Sequence, residues 1–452
     1  MELRLSHDGD SLRAHFTGAR DAEDTYVSAD GAAVYVTPPR DWLANGRHWG
    51  HFGLRVDGCR GRAFDVVLNA ARRRIHPDRP PAREPISLMA WAEAPDTTDW
   101  RLFDEEEVDG SVRRYRNRRP FEVDTIYLGH QPLNPLGRTY RFMAEWLRHP
   151  HVRPPAGAVA DPAVVDQYGP FVLGMLGARQ DRLGRELPDW TRPIYGFVVT
   201  DPEAGGPKRD VYLQARQHPD EHVGAWPAEG AIAFLLSEHP DAAAVRRRCR
   251  VFVVPAANPQ GVYAATTRGT PEDEARDMNR GWGASGGVEN HAILKAAVRA
   301  NLPHPWAQLD YHCLSNARHT NPAGSLLRVR DTPGNRRLAA AMHARVGERV
   351  PGQSVTFQAP PAGEDGDTTC VAWMRAEWPG LLGGTVEESP VVSKRIAHRL
   401  AFGEATVAAL LDVVAPPRGP GAWLAARVAT WREFAGRLQH GFGRGTWGGG
   451  AP

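Results

Sequence analysis

The stretch Val-Tyr-Leu-Gln-Ala-Arg-Gln-His-Pro-Asp-Glu, residues 211–221, joins a short apolar run to a His and a Glu three residues apart. Such a run, ending in polar residues, is typical of a buried strand that delivers side chains to a sheet edge. A second apolar run, residues 307–309, is followed by Asp-Tyr-His and ends at His312. His218, Glu221 and His312 offer two imidazoles and a carboxylate, which would leave the fourth position of a tetrahedral Zn²⁺ open for water. The two runs therefore predict a zinc site and favour a metal-dependent hydrolase.

Composition predicts a cytoplasmic protein with more than one domain. The chain has 452 residues, with 55 basic and 53 acidic residues and a net charge of +2, which gives no reason to expect a nucleic-acid partner. Its four cysteines are widely spaced and form no CxxC pair, as expected for a reducing compartment. We recognise no signal peptide at the amino terminus and no run of about 20 apolar residues, so we expect no membrane partner.

Residues 1–135 are predicted to form an antiparallel β-sandwich domain. Short runs alternate between apolar and polar residues and are separated by Gly, Asp, Asn and Pro, which is the pattern of half-buried strands joined by turns. The clearest runs are residues 52–56, 64–68, 86–91 and 121–127.

Residues 136–415 are predicted to form an α/β domain with a mixed, mostly buried sheet and helices on both faces. Strand-like and helix-like patterns alternate through this region, which favours that architecture. Strands are predicted at residues 211–217, 250–255, 309–313 and 381–386, and helices at 139–147, 228–237, 288–299, 335–346 and 393–414.

The carboxyl-terminal part, residues 416–440, is predicted to form one more helix, because apolar residues recur along a single stripe. That stripe would dock on the α/β domain or on a second subunit. Residues 441–452 are rich in Gly and are predicted to be disordered.

Five motifs in a fixed order give a resemblance to a known family. They are the HxxE of His218 and Glu221, the loop Asn-Pro-Gln-Gly at 258–261, Asp-Met-Asn-Arg at 277–280, the strand carrying His312, and Thr-Val-Glu at 385–387. In these motifs the chain resembles the M14 zinc carboxypeptidases, and most closely their cytosolic branch, in which a β-sandwich precedes the catalytic domain. The resemblance covers most of the chain and implies a zinc-carboxypeptidase-like α/β fold.

The resemblance also implies a role for each polar residue of these motifs. Arg280 with Asn279 would bind the terminal carboxylate of a peptide or protein substrate, since the guanidinium fork binds a carboxylate through two hydrogen bonds. Asp277 would hold the distal nitrogen of His218. Arg268 would stabilise the oxyanion, and Glu387 would take a proton from water and pass it to the leaving amine.

Three alternatives remain open at the level of sequence. Glu388 adjoins Glu387, but it would point to the opposite face of a continuing strand, so Glu387 is preferred as the base. The family usually places a Tyr about twenty residues before this Glu, whereas residues 359–378 contain none. This departure leaves room for a zinc amidase or deacylase acting on a small or modified peptide, or for a protein that binds peptide tails without cleaving them.

Overall fold

The amino-terminal part forms two β-sheets that enclose one core. The computed structural model describes residues 2–5, 26–27, 33–36, 53–69, 89–109, 112–129, 131–176, 192–263, 266, 268–271, 273, 276–283, 287–314, 324–359, 368–389 and 395–414. Within these ranges the amino-terminal strands are β1 (Glu2–Leu5), β2 (Tyr26–Val27), β3 (Ala33–Val36), β4 (Gly53–Asp57), β5 (Asp65–Asn69), β6 (Ala90–Ala92), β7 (Arg101–Leu102), β8 (Glu105–Asp109), β9 (Val112–Arg116) and β10 (Thr125–Gly129).

The two sheets have the orders β1-β4-β10-β6-β7 and β2-β3-β5-β9-β8. Neighbouring strands are antiparallel except for β3 and β5, which run parallel. Apolar side chains from both sheets meet in one buried cluster, for example Val34 and Val66 from one sheet with Leu54 and Ile126 from the other. The predicted sandwich is therefore confirmed, and one of its strand pairs is parallel rather than antiparallel.

The larger part of the chain is built on a mixed sheet with the order β11-β14-β16-β15-β17-β20-β18-β19, beside a hairpin of β12 and β13. Its strands β15, β16, β17 and β20 are parallel neighbours. The strands are β11 (Val152–Arg153), β12 (Val172–Leu176), β13 (Arg192–Tyr195), β14 (Phe197–Val199), β15 (Arg209–Ala215), β16 (Cys249–Val254), β17 (Pro305–Cys313), β18 (Gly324–Arg328), β19 (Ser354–Gln358) and β20 (Leu382–Glu388).

Helices cover both faces of this sheet, because its strands are apolar on both sides. The helices are α1 (Leu136–Trp146), α2 (Pro162–Tyr168), α3 (His222–Leu235), α4 (Pro240–Arg248), α5 (Pro259–Tyr263), α6 (Glu289–Asn301), α7 (Pro333–Arg349), α8 (Cys370–Glu377) and α9 (Ile396–Val414). On β15, Val211 and Leu213 join the cluster that contains α3, α4, α7 and α9, whereas Tyr212 joins the cluster under α6 and α8. The predicted α/β architecture is confirmed.

The predicted elements agree with the structure except at some of their ends. Helix α3 begins six residues before the predicted start at 228 and contains Pro227 in its interior. Proline lacks an N–H and disfavours a helix interior, so its place inside α3 goes against local propensity. The predicted helix at 416–440 and the tail at 441–452 lie outside the described residues. The boundary at 135/136 falls between β10 and α1 and remains a proposal. Among the described residues, no helix has the length and apolar content to cross a membrane.

Candidate active site

The predicted site residues meet where three neighbouring parallel strands end. Strand β15 leads to His218, β17 carries His312, and β20 carries Glu387. Strands β15 and β17 pair in parallel, as do β17 and β20, so their carboxyl ends lie at the same edge of the sheet. His312 and Glu387 are directly paired across β17 and β20. The fold therefore brings together residues that lie more than 160 positions apart in the chain.

His218, Glu221 and His312 form a buried cluster of three potential metal ligands. Nδ1 of His218 lies 2.8 Å from Oε1 of Glu221, and Nδ1 of His312 lies 2.8 Å from Oε2 of the same carboxylate. The two Nδ1 atoms are 3.1 Å apart. One donor atom from each residue lies within 4.8 Å of the other two, close enough to share one ion with bonds of about 2 Å. Two imidazoles and one carboxylate are also the donor set of a catalytic zinc site, so these residues fit the metal.

Close packing places the start of helix α3 directly against the strand of His312. A Cβ atom added at Gly224 would lie 2.7 Å from the carbonyl carbon of His312, nearer than side chains tolerate. Glycine therefore allows the helix that follows Glu221 to approach β17. Oε2 of Glu221 accepts a hydrogen bond of 3.2 Å from the backbone N–H of Cys313, which fixes the carboxylate on that strand.

Each imidazole has a second carboxylate on its distal nitrogen. Nε2 of His218 lies 2.9 Å from Oδ1 of Asp277, where the sequence predicted it. Nε2 of His312 lies 3.2 Å from Oδ2 of Asp310, which also accepts a 2.6 Å hydrogen bond from the amide of Gln217. Such carboxylates orient an imidazole and direct its other nitrogen toward a metal.

The charges of this cluster shift its pKa values in opposite directions. Burial alone would raise the pKa of Glu221, but His218 and His312 hold it well below its usual range. Burial alone would lower the pKa of His312, but Asp310 and Glu221 raise it well above its usual value. Burial would likewise raise the pKa of Asp277, and it is His218 and Arg268 that lower it. The charged groups around Glu221 and Asp277 thus favour the ionised form of these two carboxyls.

Glu387 and its neighbour Glu388 have different surroundings. A guanidinium nitrogen of Arg328, on β18, lies 3.6 Å from Oε1 of Glu387. Burial raises the pKa of Glu387, against the lowering effect of His312 and Arg328. Glu388 is fully buried against helix α9, where Arg399 lies 3.2 Å from its carboxylate. Burial raises the pKa of Glu388 to about 7 despite Arg399.

The Asp-Met-Asn-Arg motif forms one turn of 3-10 helix beside the cluster. Oδ1 of Asp277 accepts a 2.7 Å hydrogen bond from the N–H of Asn279, which closes the turn. The side-chain oxygen of Asn279 accepts a 3.0 Å hydrogen bond from the N–H of Cys370 at the start of α8. Arg280 is exposed, and its guanidinium donates to the backbone carbonyl of Asn279 at 2.9 Å. Asn279 is thus buried in the protein, whereas Arg280 reaches solvent.

Arg268 lies over His218 at the centre of the site. Its Nη1 is 3.0 Å from Nδ1 and 3.1 Å from Nε2 of that ring. The other terminal nitrogen is 3.6 Å from Glu221. Asn258, from the motif after β16, supports this loop by donating a 2.9 Å hydrogen bond to the carbonyl of Gly269. The structure therefore places Arg268 against two of the candidate ligands, His218 and Glu221.

Sequence reasoning assigned no role to Gln217 or Asp310 and did not place Arg328 beside Glu387. For Asp310 a signal was present, because residues two apart on a strand share a face and His312 was already a candidate. Arg328 could not be placed in this way, since its position depends on the antiparallel pairing of β18 with β20.

Comparisons with known proteins agree with this geometry. The family described as zinc carboxypeptidase, Peptidase M14, matches residues 191–304. Cytosolic carboxypeptidase 2 of Xenopus tropicalis is 36% identical over 93 residues, which are 20% of this chain and 9% of that protein. Cytosolic carboxypeptidase 6 of Mus musculus is 30% identical over 106 residues, which are 23% of this chain and 19% of that protein. The matched segment thus spans less than a fifth of either relative.

A solved metallo-carboxypeptidase from Burkholderia cenocepacia has the same fold. The two structures give a TM-score of 0.62 at 19% identity, over 84% of this chain and 92% of that chain. The likeness extends beyond the segment matched by sequence and includes most of the described architecture. Residues 191–304 are thus similar to the Peptidase M14 zinc carboxypeptidases, and the described part of the chain shares the fold of a solved metallo-carboxypeptidase.

Proposed function

We propose that the protein is a zinc-dependent metallocarboxypeptidase that hydrolyses the carboxyl-terminal peptide bond of a peptide or protein. The observation that carries this proposal is the convergence of His218, Glu221 and His312 beside Glu387, which is paired directly with His312 across the sheet. A protein that only bound peptide tails would need neither a complete ligand set nor an adjacent buried carboxylate.

His218, Glu221 and His312 would hold the zinc ion. When bound, zinc acts as a Lewis acid and lowers the pKa of water to about 7. Asp277 and Asp310 orient the two imidazoles, and Cys313 holds the carboxylate of Glu221 through its backbone N–H. These contacts support a preorganised site rather than one assembled by the metal.

Glu387 would act as the general base and then as the acid. Its carboxylate takes a proton from water and donates it to the nitrogen of the departing residue. Burial raises the pKa of Glu387 above its usual value, against the lowering effect of His312 and Arg328, and a raised pKa favours the return of the proton to the leaving nitrogen. Arg268 lies 3.0 Å from Nδ1 of His218, where its charge would stabilise an oxyanion on the cleaved carbonyl.

Arg280 and Asn279 would bind the terminal carboxylate of the substrate. Because Cys370 donates to the side-chain oxygen of Asn279, the NH₂ group of that amide is oriented away from α8 and can donate to a substrate. The exposed guanidinium of Arg280, on the next residue, supplies a charged fork of the kind that matches a carboxylate.

One observation favours a second candidate, a zinc amidase or deacylase acting on a small or modified peptide. Residues 359–378 contain no Tyr, whereas the resemblance predicts one in this region. Helix α8 and the preceding Thr369 occupy part of the stretch instead. The two candidates share the zinc chemistry and differ in whether a free carboxylate is required.

Comparison of a free-acid peptide with its carboxyl-amidated form separates the two candidates. Loss of one charge-assisted partner costs roughly 2–5 kcal/mol, so amidation should lower kcat/KM at least about thirtyfold. Arg280→Ala should impair the free acid and largely erase the preference. Arg276→Ala is a matched control, since Arg276 is an exposed residue of the same segment whose partner is Asp273.

Equal rates on the two forms would rule out carboxylate recognition by Arg280 and leave the amidase as the better description. Elemental analysis should find one zinc ion in the wild type and little in His218→Ala, and equal zinc content in both proteins would remove the ligand assignment. A wild type that holds zinc but cleaves nothing in a diverse peptide library would support the binding protein.

We further propose that the protein works in the cytoplasm. Its four cysteines, Cys59, Cys249, Cys313 and Cys370, are all buried free thiols, which suits a reducing compartment. The relatives described above are named cytosolic carboxypeptidases.

A further inference from the structure

The turn at residues 218–221 carries two of the proposed zinc ligands. Residues that follow the amino-terminal sandwich form hydrogen bonds with this turn and with the residues next to it. The side-chain amide of Gln131 donates a 2.7 Å hydrogen bond to the carbonyl of Asp220. Its side-chain oxygen accepts a 3.1 Å hydrogen bond from the N–H of Val223. One buried amide therefore bridges the peptide group before Glu221 and the one that follows His222.

Two backbone carbonyls of residues 132–134 accept hydrogen bonds from residues on either side of the same turn. The carbonyl of Pro132 accepts from the indole N–H of Trp226 at 3.2 Å, beyond the turn. The carbonyl of Asn134 accepts at 2.8 Å from Arg216, two residues before His218. Arg216 has a φ of +60°, the one non-glycine residue with positive φ among those described. The backbone thus enters the turn in a conformation that L residues disfavour and that its surroundings must maintain.

The side chain of Glu221 does not cap helix α3. Glu221 occupies the cap position of helix α3, but its side chain makes no capping hydrogen bond, because the carboxylate points to His218 and His312 instead. The first N–H groups of a helix have no partner within the helix. Gln131 supplies an acceptor for one of these groups, the N–H of Val223. It thus takes the place of the capping side chain that Glu221 does not provide.

We infer that Gln131 is a positioning residue for the zinc site, which couples the amino-terminal sandwich to the orientation of Glu221. The inference rests on the zinc site proposed above. Gln131 follows β10 by two residues, and its hydrogen bonds cross to a turn about 90 residues later in the chain. The sandwich thereby contributes to metal affinity without supplying a ligand.

Zinc affinity of full-length variants tests the inference. Gln131→Met keeps the length and burial of the side chain and removes both hydrogen bonds. The zinc dissociation constant, measured by competition with a chromophoric chelator, should rise about 10- to 100-fold, the usual effect of losing a residue that orients a ligand. The absorption spectrum of the Co²⁺-loaded variant should also differ from that of the wild type, since the geometry of Glu221 changes.

Gln353→Met is the matched control. Gln353 is also a buried glutamine, and its amide donates 3.0 Å to Ser325, away from the proposed ligands. Gln353→Met should lower the thermal stability of the zinc-free protein. Its zinc dissociation constant should stay within about twofold of the wild-type value. If Gln131→Met does not fold, Gln131→Glu replaces it, because this variant keeps an acceptor for Val223, loses the donor to Asp220 and sets a carboxylate oxygen against that carbonyl.

A folded Gln131 variant with the dissociation constant and Co²⁺ spectrum of the wild type would overturn the inference. So would an equal rise in Gln353→Met, since the effect would then be general destabilisation. Failure of the proposed function looks different, because in that case the wild type itself would bind no zinc through His218.

Discussion

Replacing Glu387 and Glu388 by Gln, one at a time, should separate catalysis from stability at two adjacent positions of β20. Glu387 faces Arg328 and the ligand cluster, whereas Glu388 is buried against Arg399 on α9. Gln has nearly the same shape as Glu but cannot accept a proton. Glu387→Gln should therefore lower kcat/KM about 10²- to 10⁴-fold while its zinc content stays level. Glu388→Gln should leave kcat/KM of the folded protein close to that of the wild type.

The effect at Glu388 appears instead in the dependence of stability on pH. Its pKa is raised from 4.5 to about 7 in the folded protein, mainly by burial and against the effect of Arg399. A raised pKa contributes stability that is present below pH 4.5 and is lost as the pH rises through 7. At about 1.4 kcal/mol per pKa unit, the loss between pH 5 and pH 8 is roughly 2–3 kcal/mol. The side chain of Glu388→Gln does not titrate. The free energy of unfolding of this variant, minus that of the wild type, should therefore increase by roughly 2–3 kcal/mol from pH 5 to pH 8.

Denaturant unfolding of both zinc-free proteins at pH 5 and pH 8 measures this difference directly. Steady-state hydrolysis of one peptide by the zinc-loaded proteins measures the catalytic half of the prediction. An inactive Glu388→Gln together with an active Glu387→Gln would show that the wrong carboxylate has been assigned as the base. A stability difference that does not change with pH would refute the burial argument for Glu388.

Two further predictions concern the arginines near the site. Arg268→Ala should lower kcat about 10²- to 10³-fold with little change in zinc content, because its charge would stabilise the oxyanion, and an unchanged kcat would remove that role. Arg328→Met should move the acidic limb of the kcat/KM profile to higher pH, because Arg328 lowers the pKa of Glu387 and its removal lets that pKa rise further. Arg330→Met, at an exposed position two residues away, should leave the limb in place.

Those parts of the fold and site that depend on local pattern could be predicted from the sequence. The apolar runs before His218 and His312 are strands β15 and β17, and their parallel pairing brings the two rings together as expected. The contact between Asp277 and His218, 59 positions apart, was implied by the resemblance and not by a local pattern, and the structure shows it at 2.9 Å.

Contacts between distant segments could not be predicted, because no local pattern encodes them. Arg328 reaches Glu387 only through the pairing of β18 with β20, and the intervening residues give no sign of that register. Gln131 looks like an ordinary linker residue, yet it bonds the backbone around Glu221. Helix α3 likewise begins six residues before its predicted start and runs through Pro227.

The surroundings of Asn279 also depend on contacts between segments that are distant in the sequence. The turn at 277–280 and the segment before β20 are separate motifs in the sequence, but the structure joins them. Cys370 donates its N–H to Asn279, Trp282 donates its N–H to the carbonyl of Thr368 at 2.8 Å, and the rings of Trp282 and Trp373 stack at 5.3 Å. Any change in the position of α8 must therefore also shift the amide of Asn279. The stretch where the resemblance predicts a Tyr is thus tied by these contacts to Asn279, one of the two residues proposed to bind the terminal carboxylate.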